Sequence, residues 1–164
     1  MDARGVIMIH SAPPSLRPHI EWAISRVLGV AYRLDWSVQP AQQGTYRAQC
    51  AWDGPHGSAA ALASALRGWV DTRFDVTEEV AHGRDGVRYV HTPSLGIFYT
   101  QIDSAGNSVI SEDRVRYALE IADGDARTMT HELAIALGEA WDAELEPYRS
   151  CTPIELTRAS ATLA

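Results

Sequence analysis

The chain has no lysine: all fourteen basic residues among its 164 are arginines. This excludes a Schiff base to a carbonyl or to pyridoxal phosphate. It also excludes a P-loop or kinase-type lysine on phosphate, and a lysine that carries biotin or lipoate. Cysteine is almost as scarce. Cys50 and Cys151 form neither a disulfide framework nor a zinc-ligand spacing, so a reduced, cytoplasmic protein is expected. No apolar run approaches the roughly 18–20 residues that span a bilayer, and Met1–Gly5 lacks the layout of a signal peptide.

Positive charge is in short supply overall. The net charge is −7, which argues against general binding to nucleic acid or anionic membranes. Residues 1–50 hold five arginines against three acids (+2), residues 51–110 four against seven (−3), and residues 111–164 five against eleven (−6). With every cation a guanidinium, cationic recognition here favours planar carboxylate and phosphate contacts.

With 46% hydrophobic and 21% charged residues, the chain can build a core of ordinary domain size. Val6-Ile7-Met8-Ile9 reads as a strand buried on both faces. Ile20, Ala23, Ile24, Val27 and Leu28 make the apolar stripe of a helix from about 19 to 28, closed by Gly29. Tyr32, Leu34 and Trp36 alternate like a half-buried strand, as do Tyr46, Ala48, Cys50 and Trp52. Ser58 opens a second helix carrying Ala59, Leu62, Ala63, Leu66, Trp69 and Val70 inward, and Phe74 and Val76 mark a fourth strand.

The order to residue 79 is thus β-α-β-β-α-β, the split βαβ plan of ferredoxin-like domains. A β-hairpin over 87–102 and two C-terminal helices extend it. One helix is capped by Ser111 and turns Val115, Ala118, Leu119 and Ala122 inward. The other runs from about 128 to 145 with Met129, Leu133, Ala136, Leu137, Ala140 and Trp141 inward, and is ended by Pro147. The expectation is a single α+β domain over residues 1–149 and a loose tail over 150–164.

Particular segments carry a family likeness. They are Gly5-Val6-Ile7 before His10-Ser11-Ala12-Pro13-Pro14, Pro18-His19-Ile20-Glu21-Trp22-Ala23, and Arg33-Leu34-Asp35-Trp36. Leu62–Trp69, Val76-Thr77-Glu78-Glu79, Tyr89 with Thr92-Pro93-Ser94-Leu95-Gly96, and Trp141–Pro147 complete the set. Together they resemble an actinobacterial family known as domain of unknown function 3145, over about residues 5–149. The resemblance transfers no catalytic residue. It implies at most an accessory role around acyl-CoA or acyl-carrier metabolism.

Four candidate sites stand out. Ser11, Arg17 and His19 could form an anion pocket at a helix start, or belong to a rigid proline loop. Trp22 lies opposite the apolar stripe of its helix, near Arg26, and suits an interface anchor unless other helices cover it. Glu132, Glu139, Asp142 and Glu146 share one arc of the last helix. They fit either a basic partner or a solvated face. Tyr89, His91 and Tyr99 on the added hairpin could line a groove or form cross-strand pairs.

His131-Glu132 begins a zincin motif, but Ile135 stands where the second histidine belongs. No catalytic set, metal site or cofactor is therefore expected. The expectation is a non-catalytic accessory subunit that binds a larger enzyme subunit, of an acyl-CoA carboxylase or a fatty-acid-synthesis enzyme, or that forms a homo-oligomer. The alternative is a small enzyme or ligand-binding domain for an anionic, acyl-CoA-like molecule.

Overall fold

The computed structural model describes residues 3–81 and 83–150, together with the backbone of 157 and 158. Ala3–Ala12 forms strand β1, and its apolar run has the position that such a run needs, inside the sheet between two neighbours. After the 3-10 turn Pro14–Leu16, α1 spans Arg17–Leu28. Then follow β2 (Ser37–Val38), β3 (Tyr46–Gly54), α2 (Ser58–Leu66) and β4 (Arg73–Glu78). The hairpin strands are β5 (Gly86–Thr92) and β6 (Gly96–Ile102), with a two-residue β7 at Ser108–Val109. The helices α3 (Glu112–Ala122), α4 (Ala126–Leu137) and α5 (Glu139–Arg149) follow.

The fold is α+β. The seven strands pair antiparallel in the order β2-β3-β1-β4-β5-β6-β7. A final short strand, β8 (Thr157–Arg158), runs parallel to β3 at Cys50 and Ala51. The rest of the expected tail, including Cys151, lies outside the described residues. Among the described residues no helix is long and apolar enough to cross a membrane.

The two faces of the sheet are built differently. On the front, α1 and α2 bury Ile20, Ile24, Leu62 and Leu66 against Ile7, Ile9, Trp52, Phe74 and Val76. Each such side chain contributes about 1.5–3 kcal/mol by leaving water. The alanines of α2 let it approach closely, and Gly5 lets β1 approach β4. A Cβ at Gly5 would stand 1.8 Å from the Thr77 carbonyl oxygen. Trp69 packs on this core as expected, but α2 ends at Leu66 and Val70 is exposed. The back face is covered by α5 and is far more polar.

Three expectations need correction. The strand expected over 32–36 does not form, and pairing begins only at Ser37. Tyr32 and Leu34 are buried and Arg33 and Asp35 exposed, as in a strand. Their backbone, however, is bonded to side chains of α1 rather than to another strand. The Tyr32 N–H donates to Ser25 Oγ (2.8 Å) and the Leu34 N–H to Glu21 Oε1 (3.0 Å). The Trp36 indole and Arg33 donate to the same carboxylate. Burial raises the Glu21 pKa, but the Leu34, Trp36 and Arg33 donors outweigh it and hold the carboxyl below its usual value.

The second correction is that three helices, not two, follow the hairpin. The expected single last helix breaks at Gly138, whose φ of 74° is left-handed. That break reorients the chain, and Pro147 lies inside α5 instead of ending it. The third concerns the faces. Val115, Leu119, Leu137 and Ala140 are exposed, whereas Ala118, Ala122 and Leu145 are buried.

Gly138 also packs tightly: a Cβ there would lie 2.5 Å from the Phe98 ring. Gly138→Ala should therefore destabilise the fold by about 2–4 kcal/mol, combining left-handed strain with overpacking. Urea unfolding followed by circular dichroism measures this. A midpoint equal to that of the parent chain would show that the break does not depend on glycine.

Candidate functional site

The back face is centred on a buried aspartate. Sheet alternation turns Phe74 and Val76 to the front and Asp75 to the back. Arg88, on neighbouring β5, grips Asp75 with two parallel bonds, Nε to Oδ1 at 2.9 Å and Nη2 to Oδ2 at 2.8 Å. From α5, Arg149 donates to Asp75 Oδ2 (2.9 Å) and to Asp142 Oδ1 (2.8 Å), while Arg88 also reaches Asp142 (2.9 Å). Two arginines and two aspartates thus close a ring between sheet and helix. The buried His10 ring stands 3.9 Å from Asp75, too far for a hydrogen bond.

Burial would raise the Asp75 pKa, but the Arg88 fork outweighs it and holds this carboxyl far below the usual range. Asp142 is held low in the same way by Arg88 and Arg149 against its own partial burial. Further along α5, Glu144 accepts from Thr92 Oγ1 (3.0 Å) and from Ser94. Trp141 Nε1 donates to the Gly96 carbonyl (3.0 Å). This polar layer fastens α5, and through it α4, to the sheet.

The structure separates the first candidate triad. Ser11 is fully buried and accepts from Arg73 Nη1 at 3.3 Å. Arg17 lies over the Tyr46 ring, 4.2 Å from its centroid, and donates weakly to the Pro14 carbonyl (3.4 Å). His19 is exposed, tilted against Trp69 at 6.5 Å. No hydrogen bond joins the three.

Trp22 is 60% exposed, with the Arg26 guanidinium 5.3 Å from its ring centroid. No helix covers it. The acidic arc is not one surface, because Gly138 separates Glu132 on α4 from the other three on α5. Glu132 pairs with Arg114 at 3.0 Å and Asp142 belongs to the arginine ring. Glu139 and Glu146 are exposed.

The hairpin aromatics divide. His91 is buried, stacked on Phe74 at 5.1 Å, with Nδ1 2.9 Å from the Thr72 carbonyl. Tyr89 and Tyr99 pack at 5.1 Å and do line a hollow, of about 250 Å³, with Ser64, Arg67 and Ile97. A second hollow, of about 360 Å³, opens on the other side of β6 among Phe98, Thr100, Ile110, Arg114, Ile135 and Trp141. Tyr99 borders both.

Cys50 is no nucleophile in this setting, since burial pushes its thiol up to about 12. Among the described residues no group of three or more His, Cys, Asp or Glu side chains is placed to hold a metal ion.

Sequence reasoning missed Asp75, Arg88, Arg149 and Arg67. The available signal was an acid and an arginine at back-facing positions of adjacent, otherwise apolar strands.

Asp75→Asn should cost about 3–5 kcal/mol, because it leaves two arginines facing a neutral amide. The acid response follows from the lowered pKa values. Carboxylates depressed on folding stabilise the protein at pH above their unfolded values near 4. That contribution falls progressively as pH drops below about 5. Thermal melting between pH 7 and pH 3 should show a steep loss in the parent chain and a shallower one in Asp75→Asn. Parallel curves would show that Asp75 is not the coupled group.

The family description "Protein of unknown function (DUF3145)" matches residues 6–155. No curated protein and no solved structure matches the chain. The match spans most of the sheet, the five helices of the described residues and both hollows, and agrees with the resemblance carried by the segments quoted above. The chain belongs to this family of proteins of unknown function.

Proposed function

We propose that the chain is a non-catalytic accessory module that binds another protein. The observation supporting this reading is the distribution of exposed apolar side chains. Among the described residues fifteen large ones are exposed, and all but Trp22, Val30, Val38, Val70 and Val80 fall between Leu95 and Leu137. That concentration on β6, β7, α3 and α4 is what a docking surface requires, whereas scattered singles need no explanation. Leu119, at 56% exposure, and Tyr99, at 51%, are its most open members.

Subunits of an acyl-CoA carboxylase or a fatty-acid-synthesis enzyme, the partners implied by the family resemblance, are the first ones to test. The full chain, tagged and purified from its native host at physiological salt, should carry one partner at fixed stoichiometry by native mass spectrometry. Leu119→Asp should reduce that retention without lowering the melting temperature. A bare monomer from the parent chain would overturn the reading.

The hollow beside Arg67, Tyr89 and Tyr99 favours a second reading, binding of a small anionic ligand such as an acyl-CoA. Its volume, about 250 Å³, falls below the roughly 300–1,000 Å³ of typical ligand pockets, which places this reading second. Calorimetric titration with coenzyme A and a short acyl-CoA tests it. Saturable binding lost in Arg67→Ala would support it, and no heat with either compound would remove it.

A further inference from the structure

We propose that the outer edge of β6 accepts an extended segment of a partner protein as an added strand, with an acidic side chain of that segment meeting Arg67. The inference rests on the protein-binding reading above and names where and how the partner docks. On its inner side β6 pairs with β5 at all seven positions from Gly96 to Ile102. On its outer side it pairs with β7 only at Gln101 and Ile102, and the chain leaves the sheet after Val109 to begin α3. Among the described residues, none forms a strand beside 97–100 on that side. Among the described residues, no hydrogen bond beyond the β5 ladder engages their backbone. Alternate N–H and C=O groups along this stretch need a partner or water.

Proteins usually guard such an edge with lysine, proline, other charges or a bulge. Ile97-Phe98-Tyr99-Thr100 carries none of the guarding residues, and its pairing with β5 is regular. The two hollows lie on the two faces of this same edge, and Tyr99 borders both. Successive side chains of an added strand point to opposite faces. One set would enter the hollow walled by α2, and the alternate set the hollow walled by α4 and α5. In strand addition, main-chain bonds supply affinity and such alternating pockets supply specificity.

Charge decides the occupant. Arg114, in the larger hollow, already pairs with Glu132. Arg67, in the smaller one, is exposed and makes no ion pair among the described residues. The segment should thus carry an Asp or Glu on the α2 side and apolar residues on the other. A second copy of this chain fits less well. Edge-to-edge pairing of two β6 strands would present Ile97, Tyr99 and Gln101 to Arg67, with no carboxylate, and would join two chains of net charge −7.

A library of random dodecapeptides displayed on phage and selected against the full chain provides the probe. Enriched sequences should alternate apolar and polar positions with an acid at one phase. The corresponding synthetic peptide should slow amide hydrogen exchange at residues 97–100. Arg67→Glu should weaken it by about tenfold, and exchanging the peptide's acid for lysine should restore binding to that variant. Tyr99→Lys, at a half-exposed position whose ring rests on Tyr89, should abolish binding while lowering the melting temperature by only a few degrees.

Enriched peptides that protect only other residues, or no enrichment at all, would overturn the proposal. So would a dimer in sedimentation that Tyr99→Lys converts to monomer, since the edge would then belong to a second copy. A cellular partner retained equally by the parent chain, Arg67→Glu and Tyr99→Lys would overturn this site and leave the protein-binding reading in place. Absence of any partner from the parent chain would overturn that reading.

Discussion

The ring formed by Asp75, Arg88, Asp142 and Arg149 is the constraint on which the outer half of the molecule depends. It joins a strand inside the sheet to a helix more than fifty residues later in the chain. A helix tied to the sheet by two charge-assisted bonds, Arg88 to Asp142 and Arg149 to Asp75, has its rotation and its position along the sheet both fixed. Trp141 is thereby set 5.0 Å from the Phe98 ring, and Gly138 is pressed against that same ring. The direction in which α4 leaves α5 follows, and with it the wall of the larger hollow. The arrangement at β6 is thus a downstream consequence of a charge cluster on the opposite side of β5.

The two faces of the sheet divide the work of stability and placement. The front is an apolar core whose energy comes from area removed from water, and such burial is tolerant of direction. A helix with an alanine-rich stripe can slide on it at modest cost. Buried ion pairs have the opposite character. Their Coulomb gain is largely offset by desolvation, so they add little net stability, yet an imperfect geometry leaves a charge uncompensated. The front face therefore supplies most of the folding free energy, and the back face fixes where α5 sits. Glu21 works in the same way on a smaller scale. One carboxylate gathers three donors and fixes the extended segment 32–36 alongside α1 without any strand pairing.

What was legible in the sequence follows this division. Periodicity reports apolar burial, so β1, α1, α2, the hairpin and the Ser111 cap were all readable from spacing. The helical wheel likewise placed Trp22 away from the core. Interactions between residues far apart in sequence leave no periodic trace. Asp142 looked like one of four solvated acids because its partner on the sheet, Arg88, lies 54 positions away. The stripe through Leu133 and Leu137 ran on past Gly138 with apolar residues in phase, so one glycine did not outweigh the pattern. Segment 32–36 has strand alternation because it is half-buried and extended. Alternation records burial and carries no information about what the backbone bonds to. Ser11, Arg17 and His19 are near one another in the chain, but a bulge in β1 and the proline turn send them to different surroundings.

The missing lysine bears on both halves of this account. Arg88 and Arg149 each contact two carboxylates at once, which needs several donors held in one plane. A lysine ammonium is a compact point charge and cannot span Asp75 and Asp142 with the same directionality. An all-arginine chain thus suits an architecture that places a helix by ion-pair geometry. The same composition removes the residue that most often guards exposed strand edges. In the apolar stretch of β6 the edge is left with Ile97, Phe98, Tyr99 and Thr100, and Arg67, just past the end of α2, shares a hollow with it. That guanidinium stands beside the open edge, where a planar fork can select for a carboxylate on an incoming strand. Having only arginine therefore gives this protein rigid internal placement on one side of β5 and a selective, unguarded edge on the other.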